Sequence, residues 1–273
     1  MRVSLAAPLI GFAVVVLMTS TSSAQWLKYP TAGVPRLPDG RPNLSAQPPR
    51  TADGKIDFSG LWEADPTGGI PSDFGAAVVT LPAEFENVAA RLKEGLPYRP
   101  WALDLRNARQ KDDGKDNPDG LCLPLSILQL HSHPFPRRIM QLPGIIAILY
   151  EKDVDYRQIF TDDRPLPVDP NPSWFGYSSG KWDGDTLVVQ TSGFREGLWA
   201  DATGNPLTEA AKVTERFQRP NFGTLRIEIT VDDAKAYTAP WTIMLNQRIK
   251  LDTELLEYVC LENDKSREHF LAK

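Results

Sequence analysis

Residues Gly144–Phe194 read GIIAILYEKDVDYRQIFTDDRPLPVDPNPSWFGYSSGKWDGDTLVVQTSGF. Two pairs of short β-patterned runs stand out. Ile145–Glu151 and Tyr156–Thr161 flank the polar turn Lys152–Asp155, and Trp174–Trp182 and Thr186–Thr191 flank Asp183-Gly184, a dipeptide suited to a two-residue hairpin turn. The pattern is that of an antiparallel meander. Downstream, alternation returns in four more runs. Val213, Glu215 and Phe217 share one face, and Leu225, Ile227, Ile229 and Val231 form an apolar face opposite Arg226, Glu228 and Thr230. Trp241–Ile249 and Leu255–Leu261 complete the series. About eight strands without an intervening long helix predict a mainly β fold, an antiparallel up-and-down barrel of lipocalin-like plan. A two-sheet β-sandwich is the alternative.

Upstream, the chain of 273 residues opens with Met1-Arg2, an apolar run Leu5–Met18 and the small residues Ser22 and Ala24. This is the plan of a secretory signal peptide cleaved after Ala24, with an uncleaved anchor as the alternative. The expected division is residues 1–24 signal peptide, 25–143 an extended strap and helical segment packed on the barrel, and 144–273 the barrel. Localisation is then periplasmic or secreted, with no membrane span after cleavage. Arg2 is the only charged residue of the leader, so its loss takes the formal net charge from −5 to −6. A mildly acidic chain without a Lys/Arg cluster is no nucleic-acid binder. The two cysteines, Cys122 and Cys260, are expected to pair in an oxidising compartment, the alternative being two separate buried thiols.

The strap contains a near-repeat: PRLPDGRPNLSA at 35–46 returns as PRTADGKIDFSG at 49–60. Each copy reads as an Asp-Gly turn followed by a short extended piece, either a structural strap ending at Leu61-Trp62 or a Lys/Arg-bearing binding arm. A helix is expected over Leu81–Gly95, with Phe85, Val88, Ala89 and Leu92 on one stripe, and a second over Pro100–Gln110. The acidic run 111–120 does not match the register of an EF-hand loop.

The residues YRQIFTD at 156–162, GYS at 176–178, WDGDTLVV at 182–189, TERF at 214–217 and YTAPW at 237–241 together resemble a family of secreted bacterial proteins numerous in soil bacteria such as acidobacteria. The likeness covers most of the chain after the leader. It implies the secreted barrel and brings no activity or catalytic residue with it.

For chemistry, three groups of residues are candidates. His131 and His133, two apart on an extended segment, would face the same way and chelate a metal if a third ligand such as His269 joined them. A loop cluster of Asp162, Asp163, Arg164, Trp174, Tyr177, Trp199 and Asp201 is expected over the barrel mouth, able to stack a sugar or aromatic ring, with Tyr150 as a further ligand-binding residue. Arg157 and Glu215 share their faces with apolar neighbours and are expected to point inward, whereas Arg226 and Glu228 are expected outside. With no HExxH, P-loop, GxGxxG or GxSxG element, no cofactor is expected. The reading is a barrel that binds a small organic ligand, either as a cofactor-free acid/base enzyme of lyase, isomerase or hydrolase type or as a carrier or envelope module. In the enzyme reading Arg157 orients a polar group, and Glu215, Asp162 or a histidine moves a proton.

Overall fold

The computed structural model describes residues 29–67, 70–74 and 77–263, with only the backbone for 70–74, 77–79 and 263. The expected leader and His269 lie outside the described residues. In chain order the elements are β1 (Gly60–Ala64), a separate hairpin β2 (Ile70–Phe74) and β3 (Ala77–Leu81), α1 (Ala83–Glu86), α2 (Pro100–Lys111) and α3 (Ile127–Ser132). Then come β4 (Arg137–Leu142), β5 (Ile145–Tyr150), β6 (Tyr156–Phe160), β7 (Tyr177–Asp183), β8 (Thr186–Ser192), the small pair β9 (Leu198–Trp199) and β10 (Pro206–Leu207), β11 (Lys212–Asn221), β12 (Thr224–Asp232), β13 (Trp241–Ile249) and α4 (Cys260–Asn263).

Nine strands close a barrel in the order β1-β13-β12-β11-β8-β7-β6-β5-β4. It differs from an up-and-down meander in one place: β6 and β7 run parallel, paired only through Ile159 with Ser178 and Phe160 with Ser179. The proline-rich connection 161–176 returns along the barrel instead of making a hairpin, so this seam is the weakest in the wall. The barrel also draws on both sides of the expected boundary at residue 144. β1, read as the end of the strap, pairs with both β4 and β13 and closes the circle. That leaves no place for Leu255–Leu261 as a strand. The segment instead lies extended over the β5–β6 turn, with one isolated bridge between Lys152 and Tyr258, and is tied down by the Cys122–Cys260 disulfide.

The near-repeat in sequence is a repeat in structure. In the first copy Leu37 N donates to Arg41 O, Asn43 N to Pro35 O, and Arg36 Nη1 to Gly40 O. Fourteen residues on, Thr51 N donates to Lys55 O, Asp57 N to Pro49 O, and Arg50 Nη1 to Gly54 O. Gly40 and Gly54 both take positive φ, +83° and +80°, which the turn requires and glycine supplies without strain. These miniature hairpins cover one end of the barrel. Arg50 clamps Asp185 in the β7–β8 turn at 2.9 and 2.7 Å, and Ala46 O and Leu44 O accept from Phe222 N and Gly223 N in the β11–β12 turn.

The opposite end is closed by helices. The expected helix over 81–95 is cut to α1, because Asn87 turns extended and the buried Asp201 carboxylate takes the Val88 N–H at 2.8 Å, drawing it away from a further helical turn. α2 forms where expected. The segment His131–His133, read as extended, instead falls at the end of α3 (Ile127–Ser132), all six of whose residues are buried. Ser126 caps its start, and Arg137 and Gln247 from the barrel wall donate to His131 O at 2.6 and 2.7 Å. A six-residue helix buried on every side, with Gln129, His131 and Ser132 among its apolar residues, has no amphipathic stripe to betray it, and it fits here because it plugs the end of the barrel. Among the described residues no helix is long and apolar enough to cross a membrane.

The β5–β6 turn contains a titrating group. Asp153 and Val154 both take positive φ, and the Asp155 Oδ2 beside them is buried without a hydrogen-bond partner. Burial, reinforced by the charge of Asp153, raises the Asp155 carboxyl to about 6. A raised acid costs folding stability as pH climbs through that value, and the cost vanishes below the unfolded value near 4. Asp155→Asn is therefore expected to raise the thermal midpoint at pH 7.5 and to give no gain at pH 3.5. Discounted for partial exposure, the effect is about 1 kcal/mol, or roughly 2–4 °C, readable in a calorimetric scan.

Candidate functional site

Strand alternation decides what the interior contains. On β11 the inward residues are Val213, Glu215 and Phe217, on β6 Arg157 and Ile159, and on β12 Leu225, Ile227, Ile229 and Val231. Arg226 and Glu228 point outward. Most of the interior is therefore apolar, with a buried ion pair at its centre and the buried Arg137 of β4 bonded to backbone carbonyls.

The ion pair is Arg157 against Glu215. Arg157 Nη1 donates to Glu215 Oε1 at 2.9 Å and Nη2 to Oε2, a two-pronged pair in which both side chains are at most 1% exposed. The remaining guanidinium donors go to Ser178 Oγ on β7 at 3.0 and 3.2 Å and Thr191 Oγ1 on β8 at 3.0 Å. One arginine thus links β6, β7, β8 and β11 from inside, directly behind the weak parallel seam. Burial alone would raise the Glu215 carboxyl, but the charge and hydrogen bonds of Arg157, with help from His131, hold it at about 2. Glu215 is ionised throughout the physiological range and has no proton to give.

His131, at the last turn of α3, supplies the third member. Its Nε2 lies 2.8 Å from Glu215 Oε1 and 3.3 Å from Arg157 Nη1. A lone pair on Nε2 would face a carboxylate oxygen at that distance, so Nε2 carries the proton and donates it to Glu215. Nδ1 is then a bare acceptor, buried and without a partner. Burial lowers the His131 pKa despite the nearby carboxylate, which keeps the ring neutral. The residue borders a narrow cleft of about 110 Å³ at the helix end, which also touches the buried Glu84, held by Arg91 at 2.7 Å. The Tyr150 hydroxyl, buried near Arg157 and also unpartnered, is pushed up to about 12 by burial.

The other expected groupings come apart. His133 is the C-cap of α3, not a strand neighbour of His131. Its Nδ1 accepts from Phe135 N, its ring packs on Phe85 and Phe135, and burial drives its pKa well down. The two imidazoles serve different partners, and no group of three or more His, Cys, Asp or Glu among the described residues is placed to hold a metal. Asp162 is exposed on the outer side, its carboxyl lowered by the hydrogen bonds of Arg164, whose guanidinium lies 4.0 Å over Phe160, which in turn stacks on Tyr177. Trp174 carries Arg195 at 4.3 Å on the returning connection. Trp199 is buried at the helix end beneath Arg109, and Asp201 is buried with bonds to Val88, Thr203 and Asn205. The expected mouth cluster is two groups, one outside the wall and one inside the helical cap. In the acidic run, Asp112, Asp116 and Asp119 face Lys115, Arg109 and Lys152.

An accessible concavity lies at the strap end. A cleft of about 780 Å³ opens between the second miniature hairpin, the β4–β5 turn and the ends of β6 and β7. Trp182 forms its wall, stacked at 5.5 Å and 6° on the buried Phe58, with the Lys55 ammonium 5.6 Å from the ring. Lys181 and Asp163 also line it, and neither makes an ion pair among the described residues. None of Lys55, Lys181 and Trp182 was singled out from the sequence. The available signal was Trp182 next to a hairpin turn, and that position alone does not tell inward from outward. No protein-family model matches the chain, and no curated protein is significantly similar to it.

Removing one partner of the central pair strands the other in the core. Arg157→Ala is expected to cost about 3–5 kcal/mol in urea unfolding, while the double change Arg157→Met/Glu215→Leu should recover most of that loss. The contribution of Glu215 is present above about pH 4.5, its unfolded value, and is lost as pH falls through 2.

Proposed function

We propose that this is an exported β-barrel protein, of the kind its resemblance to secreted bacterial proteins suggests, that binds a small polar organic molecule at the strap end. One observation carries the reading: the 780 Å³ cleft joins an aromatic wall to charged side chains that the fold leaves uncommitted. Pockets of this size with a few convergent polar groups are where small ligands bind. The central Arg157–Glu215–His131 group supports a binding role over a carrier of lipocalin type, because it and the apolar side chains fill the space a carrier would use for its cargo. Every guanidinium nitrogen of Arg157 is already engaged inside the wall, and its place in this reading is to stiffen it.

A second reading, acid/base catalysis, is favoured by the state of His131. A neutral ring oriented by a carboxylate, with a free lone pair on Nδ1, is a general base held ready. Glu215 then orients and does not titrate. Asp162, outside the wall, has no part in it.

The binding reading is tested by a thermal-shift panel of sugars, aromatic acids and lipids. The protein is recovered from the periplasmic and culture fractions, where its intact mass should begin at Gln25. A ligand at 100 times its Kd adds about 2.7 kcal/mol of stability. The shift is expected to vanish in Trp182→Ala and to survive in Trp174→Ala, and loss in the latter alone would move the site to the outer wall. For the second reading, nitrogen NMR of His131 should report the neutral Nε2–H tautomer at pH 7 and above. A ring protonated at pH 7 would remove it as a base.

A further inference from the structure

We propose that the strap-end cleft takes a neutral carbohydrate chain, an inference that rests on the binding reading above and names the class of ligand. The aromatic wall comes first. Phe58 is 1% exposed and seals one side of Trp182 in a near-parallel stack, so the indole is fixed before any ligand arrives. A rigid aromatic plate at a solvent-open edge suits the C–H face of a pyranose ring, which is apolar, while the hydroxyls around the ring remain free to bond.

Charge balance narrows the class. The ionic side chains lining the cleft are Lys55 and Lys181 on one side of the account and Asp53 and Asp163 on the other, two cations and two anions. An anionic ligand would meet both aspartates, and a cationic one both lysines. Hydroxyl groups both donate and accept, so a polyhydroxylated neutral ligand can use all four without an uncompensated charge. Asp53 already accepts from the Thr51 hydroxyl and Lys55 sits over the Trp182 ring, while Lys181 and Asp163 make no ion pair among the described residues.

The walls are held in place independently of a ligand. The Gln141 amide is bonded to the strap on both sides, accepting from Phe58 N at 3.0 Å and donating to Ile56 O at 3.0 Å, and the Arg50–Asp185 pair fixes the hairpin on the other flank. Such preorganisation reduces the entropy lost on binding. The cleft is open along one side and larger than a single sugar ring needs, so a short chain fits better than a compact metabolite.

The test is isothermal titration of the purified protein with neutral cello-, malto- and N-acetylchito-oligosaccharides, alongside oligogalacturonate and benzoate as charged comparators. One neutral series is expected to bind, with affinity falling at least about tenfold in Trp182→Ala. The double variant Lys181→Ala/Asp163→Ala, at two exposed positions that leave the core intact, should weaken the same ligand and unfold at the wild-type temperature. Binding of oligogalacturonate or benzoate alone, lost in the double variant, would overturn the carbohydrate class while leaving the binding site standing. Neutral oligosaccharide binding untouched by the double variant would place the sugar elsewhere and overturn the proposal. No binding by any probe, together with an empty thermal-shift panel, would remove the binding reading and this inference together.

Discussion

The Arg157–Glu215 pair is the constraint around which the barrel is arranged. Two opposite charges deep in an apolar interior are stable only if every donor and acceptor is used, and here each guanidinium nitrogen reaches a carboxylate or a hydroxyl. The strands that supply those partners flank the one parallel joint in the wall. With only two registered pairs between β6 and β7, that joint is short of backbone hydrogen bonds, and the interior network supplies from side chains what the ladder lacks. The plug helix completes the arrangement by adding the His131 bond to Glu215, while Arg137 and Gln247 hold the helix itself by its last carbonyls.

How much of this was legible in the sequence follows from which features are local. The alternation on β11 and β12 is strict, so the inward placement of Glu215 and the outward placement of Arg226 and Glu228 could be read directly. The pairing of Arg157 with Glu215 joins residues 58 apart, yet each was marked by the same oddity, a charged residue on an apolar face. The near-repeat was visible because its turns are written in Asp-Gly dipeptides. What escaped was non-local or unmarked. β1 looks like the tail of a strap, since five residues of mixed character say nothing about which strands they will join. α3 is too short and too uniformly buried to have a period, and reading it as a strand put His131 and His133 on one face that does not exist. The mouth cluster failed for a related reason: loops that are adjacent in sequence were assumed adjacent in space, whereas the parallel joint sends residues 161–176 back along the outside.

The two ends of the barrel are built on different principles. At the helix end, buried polar groups such as Asp201 and Asn205 satisfy one another among apolar side chains, and Trp199 is almost wholly enclosed. At the strap end, hairpins held by arginine clamps and backbone bonds stand over the turns and leave charged side chains facing solvent. Rigidity and openness coexist there because Arg50 and the Leu44 and Ala46 carbonyls anchor the strap away from the concavity, and Gln141, which lines it, directs its amide to the strap. The strap, which the sequence left between structural belt and binding arm, is a structural belt, and under the proposed function it also forms one side of the binding cleft.

The place of β1 in the circle also bears on how the chain comes to be folded. Its partners are β4 and β13, so a strand made near the start of synthesis must wait for one made near the end. The Cys122–Cys260 bond spans a separation of 138 residues and imposes the same delay. A nascent chain stopped short of β13 keeps β1 and β12 as open edges, the kind of surface that recruits foreign strands. Closure is thus a late, all-at-once event, and only a full-length product can leave behind the sticky intermediate that precedes it.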